Sequence, residues 1–336
     1  MAGRLALVVK LFEMADGQEA DFFAQLIVKE ELKTRQGKPY FRVAFRDAER
    51  EVAFPIWGDS AWAEACQKEW RVGSCYKIRG VYRETQYGPQ LEIKKIREVG
   101  EGDKKEGFDE QSMKPIARRD SAGQFAALVE LVKNEIADAG LRDLILELLE
   151  THRAAIVVFP AATRMHHAWT GGFVDHILSV ARNCVMLADK YVVQYPQLAA
   201  TLSRDLVIAG GVLHDIGKLR ELEPRLEGAV YTPAGELIGH VLQGRDMLRE
   251  AAVGRSLDPE LLLRLEHIIV AHQRLPEWGA PKPPMTPEAL LVHFADDIDA
   301  KMEMFDAINR DEPGDGPVTS ARNGLQQKVY RGKKGK

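Results

Sequence analysis

The hydrophobic pattern of the chain changes its period once, and this change predicts two domains of different classes. In residues 40–46, Phe41, Val43 and Phe45 alternate with other residues, the period of a β-strand with one buried face. From about residue 121 to 310, apolar residues recur instead at the three- and four-residue spacings of amphipathic helices. A chain of 336 residues is long enough to hold both domains.

The β-rich part predicts an OB-fold barrel. Five strands with one helix between the third and fourth are typical of that fold. We expect the helix over residues 59–70, with Asp59 or Ser60 as its cap. Beyond residues 40–46, further strands are expected at Val52–Trp57, Ser74–Tyr82 and Gln90–Lys94.

Composition sets the remaining boundaries. Residues 100–107 are rich in glycine and charge and lack an apolar period, which indicates a linker. The last twenty residues contain six basic and no acidic residues, so we expect a disordered, basic tail. The predicted organisation is a nucleic-acid-binding barrel over 1–99, a linker over 100–120, an all-α helical bundle over 121–310 and a tail over 311–336.

Charge and cysteine content exclude several classes of protein. The net charge of −4 gives no global attraction for nucleic acid, so any such interface must be local. Three cysteines without CxxC spacing argue against a disulfide framework and a zinc-thiolate site, and favour a reducing cytoplasm. We expect neither a signal peptide nor a membrane span, because no stretch of about 20 uncharged apolar residues occurs.

The pair His214-Asp215, within the apolar run Ala209–Lys218, is the strongest chemical signal. Imidazole and carboxylate groups are ligands for divalent metals. A single histidine on an apolar helix is usually a hydrogen-bonded core residue, but an ordered set of such residues favours a metal site within a helical bundle. The candidate metal ligands are His176, His214, Asp215, His240, His272 and Asp296.

Neighbouring residues compete for some of these positions. His267 and His272 are roughly 140° apart on a helix, so only His272 is assigned to the metal. Asp296 is preferred to Asp297, which is expected to be solvated, while Asp299 with Lys301 is expected to orient the ligands.

Cationic residues near this set predict phosphate binding. Lys218 is a candidate for neutralising phosphate charge. Arg164, His166 and His167 form a second candidate catalytic cluster, with a loop packed against Trp169 as the alternative.

Several stretches together resemble the HD phosphohydrolase superfamily and, more narrowly, the YhaM-type exoribonucleases, which pair an N-terminal OB-fold with a C-terminal HD domain. The resemblance covers nearly the whole chain apart from the tail. The matching stretches are Phe159–His167, Gly171–His176, Leu213–Lys218, Tyr231-Thr232 with Gly239-His240, Pro276–Pro284 and Asp299–Met302.

This resemblance implies metal-dependent removal of nucleotides from the 3′ end of RNA or of single-stranded DNA. One ion would be held by His176, His214, Asp215 and Asp296, with Asp215 bridging to a second ion. His240 and His272 would hold that second ion, and this mixture of oxygen and imidazole ligands suits manganese. One departure is His272-Gln273, where such proteins often have two adjacent histidines.

The barrel carries a candidate single-strand interface. Tyr40, Arg42 and Arg46 lie on the strand face opposite the apolar residues, and bases stack on aromatic rings while phosphates follow basic grooves. Residues 71–99 contain seven Lys or Arg and three Glu, a local net charge of +4, and Lys77, Arg79 and Arg83 are candidates there. Tyr76 and Tyr82 are expected in the core instead.

Two alternatives remain open. The first is a phosphohydrolase acting on free nucleotides or a cyclic dinucleotide, with the barrel in a regulatory role. The second is a non-catalytic nucleic-acid-binding protein with a structural metal. A homo-oligomer is compatible with the sequence, and no membrane partner is expected.

Overall fold

The computed structural model describes residues 8–34, 36–85, 88–113, 119–161, 169–225, 228–311, 316–321 and 323–332. The chain divides into two compact units. The first is built mainly from residues up to 116, together with residues 308–336, and the second from residues 117–225 and 229–307.

The first unit is an antiparallel β-structure. Its elements are β1 (Val8–Lys10), β2 (Glu19–Lys33), β3 (Pro39–Arg46), β4 (Glu51–Trp57), α1 (Ala63–Lys68), β5 (Cys75–Thr85) and β6 (Gly88–Glu98). The strand order is β4-β3-β2-β5-β6, and β1 pairs in parallel with β2. Strands β4 and β6 lie beside each other, so the sheet curls on itself. Three antiparallel strands, a helix and two more strands resemble an OB-fold, which confirms the predicted class of this unit.

Aromatic side chains fill the interior of the barrel. The ring of Phe45 contacts Trp70 and Tyr76 edge to face, with centroids 5.7 and 6.0 Å apart. The Tyr76 hydroxyl accepts a hydrogen bond from the backbone N–H of Arg71 at 2.7 Å, which satisfies a buried polar group. Tyr76 and Tyr82 are both buried, so their prediction as core residues is confirmed.

Residues 101–113, most of which fall in the predicted linker, are folded in the structure and do not form an extended, unattached linker. Residues Glu101–Glu106 and Glu110–Met113 form two 3₁₀ turns. Asp103 accepts two hydrogen bonds from Arg97 at 2.6 Å, and the ring of Phe108 meets Phe23 edge to face at 5.2 Å. These contacts attach residues 101–113 to the barrel.

The second unit is helical. Its elements are α2 (Ser121–Glu135), α3 (Ala139–Thr151), α4 (Arg153–Ile156), α5 (Gly172–Gln194), α6 (Arg204–Leu213), α7 (Lys218–Glu221), β7 (Leu222–Arg225), β8 (Gly228–Tyr231), α8 (Pro233–Ala252), α9 (Pro259–Ala271) and α10 (Pro287–Asp311). The apolar faces of these helices form one continuous core, in which α5 and α6 pack against each other. Helices dominate this half, as predicted.

Local sequence sets where the helices begin. Thr232 caps α8 by accepting a hydrogen bond from the N–H of Gly235 at 2.9 Å, and Pro233 occupies the first helical position. Asp258 caps α9 in the same way, ahead of Pro259. Ser203 caps α6 by accepting a hydrogen bond from the N–H of Leu206, and the chain turns after Leu213.

The tail is partly ordered where the structure describes it. Val318 and Tyr330 form an antiparallel bridge, and Val329 is buried. This differs from the expected disorder, which rested on composition alone. Among the described residues no helix combines the length and apolarity needed to cross a membrane.

Candidate metal centre

Five elements of the helical unit each bring one or two polar side chains to a common point. His176 lies in the second turn of α5, His214 and Asp215 follow α6 directly, and Asp296 lies midway along α10. His240 lies within α8, and His272 immediately follows α9. All these residues are buried except His240 and Asp296, whose side chains remain 15% and 16% exposed.

The first group of ligand atoms surrounds the Nε2 atom of His176. This atom lies 3.5 Å from Asp215 Oδ2, 3.3 Å from Asp296 Oδ1 and 3.3 Å from His214 Nε2. The His214 Nε2 atom is 3.5 Å from the same Asp215 oxygen and 3.7 Å from Asp296 Oδ1. Two imidazoles and two carboxylates therefore converge, a ligand set that could hold a divalent metal.

The second group lies on the other side of Asp215. His240 Nε2 and His272 Nε2 are each 3.5 Å from Asp215 Oδ1. One ligand atom from each of Asp215, His240 and His272 lies within 4.8 Å of the others, and the same holds for His176, His214 and Asp215. The two oxygens of one carboxylate thus face different histidine pairs.

Asp215 Oδ1 is an unsatisfied buried atom. Among the described residues it accepts no hydrogen bond, although the side chain is only 2% exposed. Leaving a buried charged oxygen without a partner is costly, so this position favours a cation. The residues present therefore fit a divalent metal.

Each of the four histidines is oriented through its other ring nitrogen. The Nδ1–H groups of His214 and His272 donate to the carbonyls of Gly211 and Ile269 at 2.9 and 2.7 Å. Because a carbonyl only accepts, the proton lies on Nδ1, and each Nε2 directs a lone pair toward the centre.

Carboxylates orient the other two rings. Asp299 Oδ2 lies 2.8 Å from His176 Nδ1, and Ser179 donates to the other Asp299 oxygen. Glu221 Oε1 accepts from both the backbone N–H and the ring Nδ1 of His240, each at 2.9 Å.

Glycines permit the close approach of these elements. A Cβ atom at Gly217 would lie 2.0 Å from the His240 carbonyl oxygen, so only glycine fits between Asp215 and α8. Gly239 has φ +77° and interrupts the helical geometry of α8, which presents the His240 N–H to Glu221. Gly211 packs α6 against Cys184 of α5.

The ionised carboxylates of the site attract positive charge. Burial works against protonation of His176, but its hydrogen bonds to Asp215, Asp296 and Asp299 raise its pKa well above the ordinary range. Burial lowers the pKa of His214 to about 4, so this ring is neutral at pH 7. Burial also opposes ionisation of Asp215, but the adjacent Lys218 and the histidines hold its pKa well below the usual range.

Lys218 pairs with one oxygen of the central carboxylate. Its Nζ lies 2.6 Å from Asp215 Oδ2, and its side chain is 11% exposed. Burial lowers the pKa of Lys218, yet the charge of Asp215 outweighs burial and raises the pKa overall. The ammonium therefore lies beside the first ligand group.

Gln273 contacts both histidines of the second group. Its amide nitrogen is 3.0 Å from His272 Nε2 and 3.5 Å from His240 Nε2. Where similar proteins often have a second histidine after His272, this chain therefore has the polar amide of Gln273. Rotating the side-chain amide by half a turn exchanges its nitrogen and oxygen, so the Gln273 oxygen can face His240 and His272 instead.

The centre opens into a depression of about 230 Å³. The ligands His272, Asp215 and Asp296 line it together with Lys218 and Trp278. A substrate can therefore reach the candidate metal position.

The structure describes only some of the other predicted residues. Arg164, His166 and His167 are outside the described residues. The ring of His267 accepts from the Met285 N–H at 2.9 Å, a structural contact consistent with its exclusion from the ligand set. Lys301 pairs with Asp297 rather than with Asp299, which orients His176 without it.

The basic side chains predicted to bind nucleic acid form ion pairs or hydrogen bonds with other residues of the first unit. Arg79 binds both oxygens of Asp21 at 2.6 and 2.8 Å, and Lys77 pairs with Glu106. The other pairs are Arg42 with Glu30, Arg83 with Glu92, and Arg46 with the Gln25 amide oxygen. The local excess of positive charge on the sequence is thus largely offset by acidic neighbours.

Tyr40 has a neighbour that the sequence reasoning missed. Its ring centroid is 5.2 Å from that of Trp57, which lies opposite it in the β3–β4 register. Trp57 is 49% exposed, so the pair forms an accessible aromatic surface. An aromatic residue at the end of the predicted strand 52–57 was the available signal.

Glu221 was also missed as a neighbour of the metal ligands. It shows no distinctive spacing, since it ends a four-residue helix and meets His240 only after the β7–β8 hairpin. Its position depends on how α7 and α8 pack.

The comparison with known families agrees with this geometry. Residues 173–301 match the HD domain family, a range that includes every candidate ligand. The helical region contains an HD domain. The domain indicates a superfamily of metal-dependent hydrolases, and its match confirms the predicted class of the second unit.

Two solved structures are similar to part of the chain, both from replication protein A of Methanococcus maripaludis. A crystal structure of one domain shows 13% identity and a TM-score of 0.22, covering 27% of this chain and 94% of that chain. A solution structure of the second OB-fold domain shows 14% identity and a TM-score of 0.22, covering 28% and 96%. The OB-like character of the barrel rests on its own strand order.

Proposed function

We propose that this protein is a metal-dependent phosphodiesterase that removes nucleotides from the 3′ end of single-stranded RNA, with single-stranded DNA as a second substrate. The HD domain supports hydrolysis, and the OB-like barrel supports capture of a strand. The 3′ polarity rests on the resemblance to YhaM-type exoribonucleases.

The observation that carries the proposal is the position of Asp215 between two histidine pairs. Its Oδ2 faces His176 and His214, and its Oδ1 faces His240 and His272. A carboxylate in this position can bridge two divalent ions, a common arrangement in enzymes that split phosphodiesters. We therefore propose two ions, with Asp296 as a further ligand of the first.

The ligand chemistry favours manganese among the divalent metals. The set mixes four imidazoles with carboxylates, and among the described residues neither ligand group includes a thiol. Bound divalent ions would supply acidified water and neutralise charge on a phosphate.

The protein groups around the metal position would bind and orient the scissile phosphate. Lys218 lies in the depression with its charge next to Asp215, and a phosphate oxygen entering there can share that ammonium. Hydrolysis adds water across the P–O3′ bond. The phosphate stays on the released nucleotide and the O3′ of the shortened chain gains a proton.

The barrel would hold the strand chiefly by stacking. Tyr40 and Trp57 offer two adjacent, accessible rings, and stacking contributes about 1–3 kcal/mol per base. Because Lys77, Arg79 and Arg83 are paired with carboxylates, we give them a smaller share of the binding than the aromatic pair.

Hydrolysis of free nucleotides or of a cyclic dinucleotide is the second candidate, and the small size of the depression favours it. The accessible aromatic pair on the barrel favours the strand, since a small molecule bound at the metal centre needs no stacking surface there.

One experiment tests the proposal. The protein is incubated with manganese and with 3′- or 5′-end-labelled single-stranded RNA, free nucleotides or a cyclic dinucleotide. We expect a ladder that shortens from the 3′ end. Turnover of only the small molecules would contradict the proposal.

Matched variants connect the activity to the centre. Asp215→Asn should abolish the ladder and lower the metal content while the protein stays folded. Asp205→Asn, which changes an acid at the start of the same α6 helix, should leave both unchanged. An Asp215→Asn protein that retains near-native activity would refute the assignment.

A further inference from the structure

One aromatic side chain in the depression has no role among the proposed metal ligands. Trp278 belongs to the short turn Pro276–Trp278 and forms part of the wall of the depression that contains Asp215, His272 and Asp296. The side chain is 52% exposed, so about half of a large apolar surface faces solvent. Among the described residues its indole N–H donates to no protein acceptor.

The turn that carries Trp278 is held by its own backbone. The N–H of Trp278 donates to the carbonyl of Leu275 at 3.0 Å, and the N–H of Ala280 donates to the same carbonyl at 3.1 Å. Gly279 has φ +98°, and Ala280 is buried, which anchors the turn. The ring is therefore presented on a fixed backbone.

The walls of the depression divide into two chemical kinds. Asp215, His272, Asp296 and Lys218, which line the depression, suit cations and phosphate oxygens. Trp278 lines the same space and supplies a flat apolar face. A ligand that fits both must join a phosphate to a planar ring.

We propose that Trp278 is the stacking platform for the base of the terminal nucleotide, next to the phosphate held at the metal centre. This inference rests on the proposed function only in taking a nucleotide as ligand, and it applies to the RNA strand and to free nucleotides alike. Every base has a π-face, so stacking on Trp278 would accept all four bases without reading sequence.

Equilibrium binding of two small probes tests this inference without any hydrolysis. The probes are the methylene phosphonate analogues of adenosine 5′-monophosphate and of ribose 5-phosphate, which have a carbon in place of the ester oxygen and cannot be split there. They differ only by the base. Binding is measured by calorimetry on the manganese-loaded, full-length protein.

We expect the wild-type protein to bind the adenosine probe roughly 5- to 150-fold more tightly than the ribose probe, the range expected for one stacked base. In Trp278→Leu this preference should fall to within about twofold, and Trp278→Phe should keep an intermediate preference. The ribose probe should bind all three proteins alike, which shows that the metal centre is intact.

Two results would overturn the inference: a Trp278→Leu protein that keeps the wild-type preference, or one that loses affinity for both probes equally. The second result would show that Trp278 supports the fold of the site instead. Neither result depends on whether the protein shortens RNA, so failure of the proposed function remains a separate outcome.

Discussion

Replacing Gly217 with alanine should remove the second metal position and spare the first. The added Cβ would lie 2.0 Å from the carbonyl oxygen of His240 and 2.5 Å from the backbone nitrogen of Gly244. Both contacts are with backbone, so no side chain can rotate away. The middle of α8 and the turn after Asp215 must separate by about 1 Å to restore a tolerable contact.

A displacement of this size matters because metal–ligand distances are tolerated only within roughly 0.2 Å. His240 lies on the displaced helix, and its Nε2 is 3.5 Å from Asp215 Oδ1 before the change. His176 and Asp296 lie on α5 and α10, and His214 directly follows α6, so none of them is on the displaced helix. The first ion should therefore remain bound, and the affinity for the second should fall at least about 10-fold.

The assay is metal content by elemental analysis after removal of free manganese, together with the rate of RNA shortening. We expect two ions per wild-type chain and one per Gly217→Ala chain, with activity reduced about 100-fold, the usual effect of a 1 Å misplacement. Gly102→Ala is the control, because a Cβ at Gly102 meets no atom within 4 Å. A folded Gly217→Ala protein that holds two ions with unchanged affinity would refute the argument.

Two further predictions concern a residue that orients a ligand and the cysteines. Glu221→Gln should weaken manganese binding about 10- to 100-fold without changing α8, because the amide is a poorer acceptor for His240 Nδ1–H; unchanged affinity in a metal titration would contradict this role of Glu221. In the native protein all three thiols should react with a disulfide reagent at pH 8 at least about 100-fold more slowly than in denaturant. The reason is that burial raises the pKa of Cys66 and Cys75 to about 11 and the pKa of Cys184 further. The thiolate fraction rises with pH up to the pKa, so native labelling should accelerate between pH 8 and 10, and a rapid reaction of one thiol at pH 8 would show that the raised pKa is wrong.

The sequence was most informative about polar residues that lie at positions where the helical pattern predicts burial. His176, His214 and Asp296 interrupt apolar helical stretches, and burying such groups without partners is costly. A shared cation resolves that conflict, so residues distant in sequence could be grouped before their geometry was known. The structure brings these residues together.

Sequence was less informative about the partners of surface charges. Arg79 looks like a free cation on a basic strand, yet the antiparallel register of β2 and β5 places it directly opposite Asp21. That register depends on long-range strand pairing, which a local charge count does not contain. The same limit applies to residues 101–113, where Phe108 and Met113 are too few to produce an apolar period, yet Phe108 packs against Phe23 of the barrel and Met113 is buried.

The hydrogen bonds around the centre indicate a preorganised site. The Gly211 and Ile269 carbonyls and the Asp299 and Glu221 carboxylates each hold one Nδ1, which directs four Nε2 atoms inward.

Lys218 compensates only one oxygen of Asp215 and leaves Oδ1 unsatisfied between His240 and His272. A proton on one of these two imidazoles could supply the missing charge, but it would occupy the lone pair directed at that oxygen. A divalent ion at the same point satisfies the oxygen and both lone pairs together. The fold thus leaves a buried carboxylate oxygen uncompensated where the proposed chemistry requires a second cation.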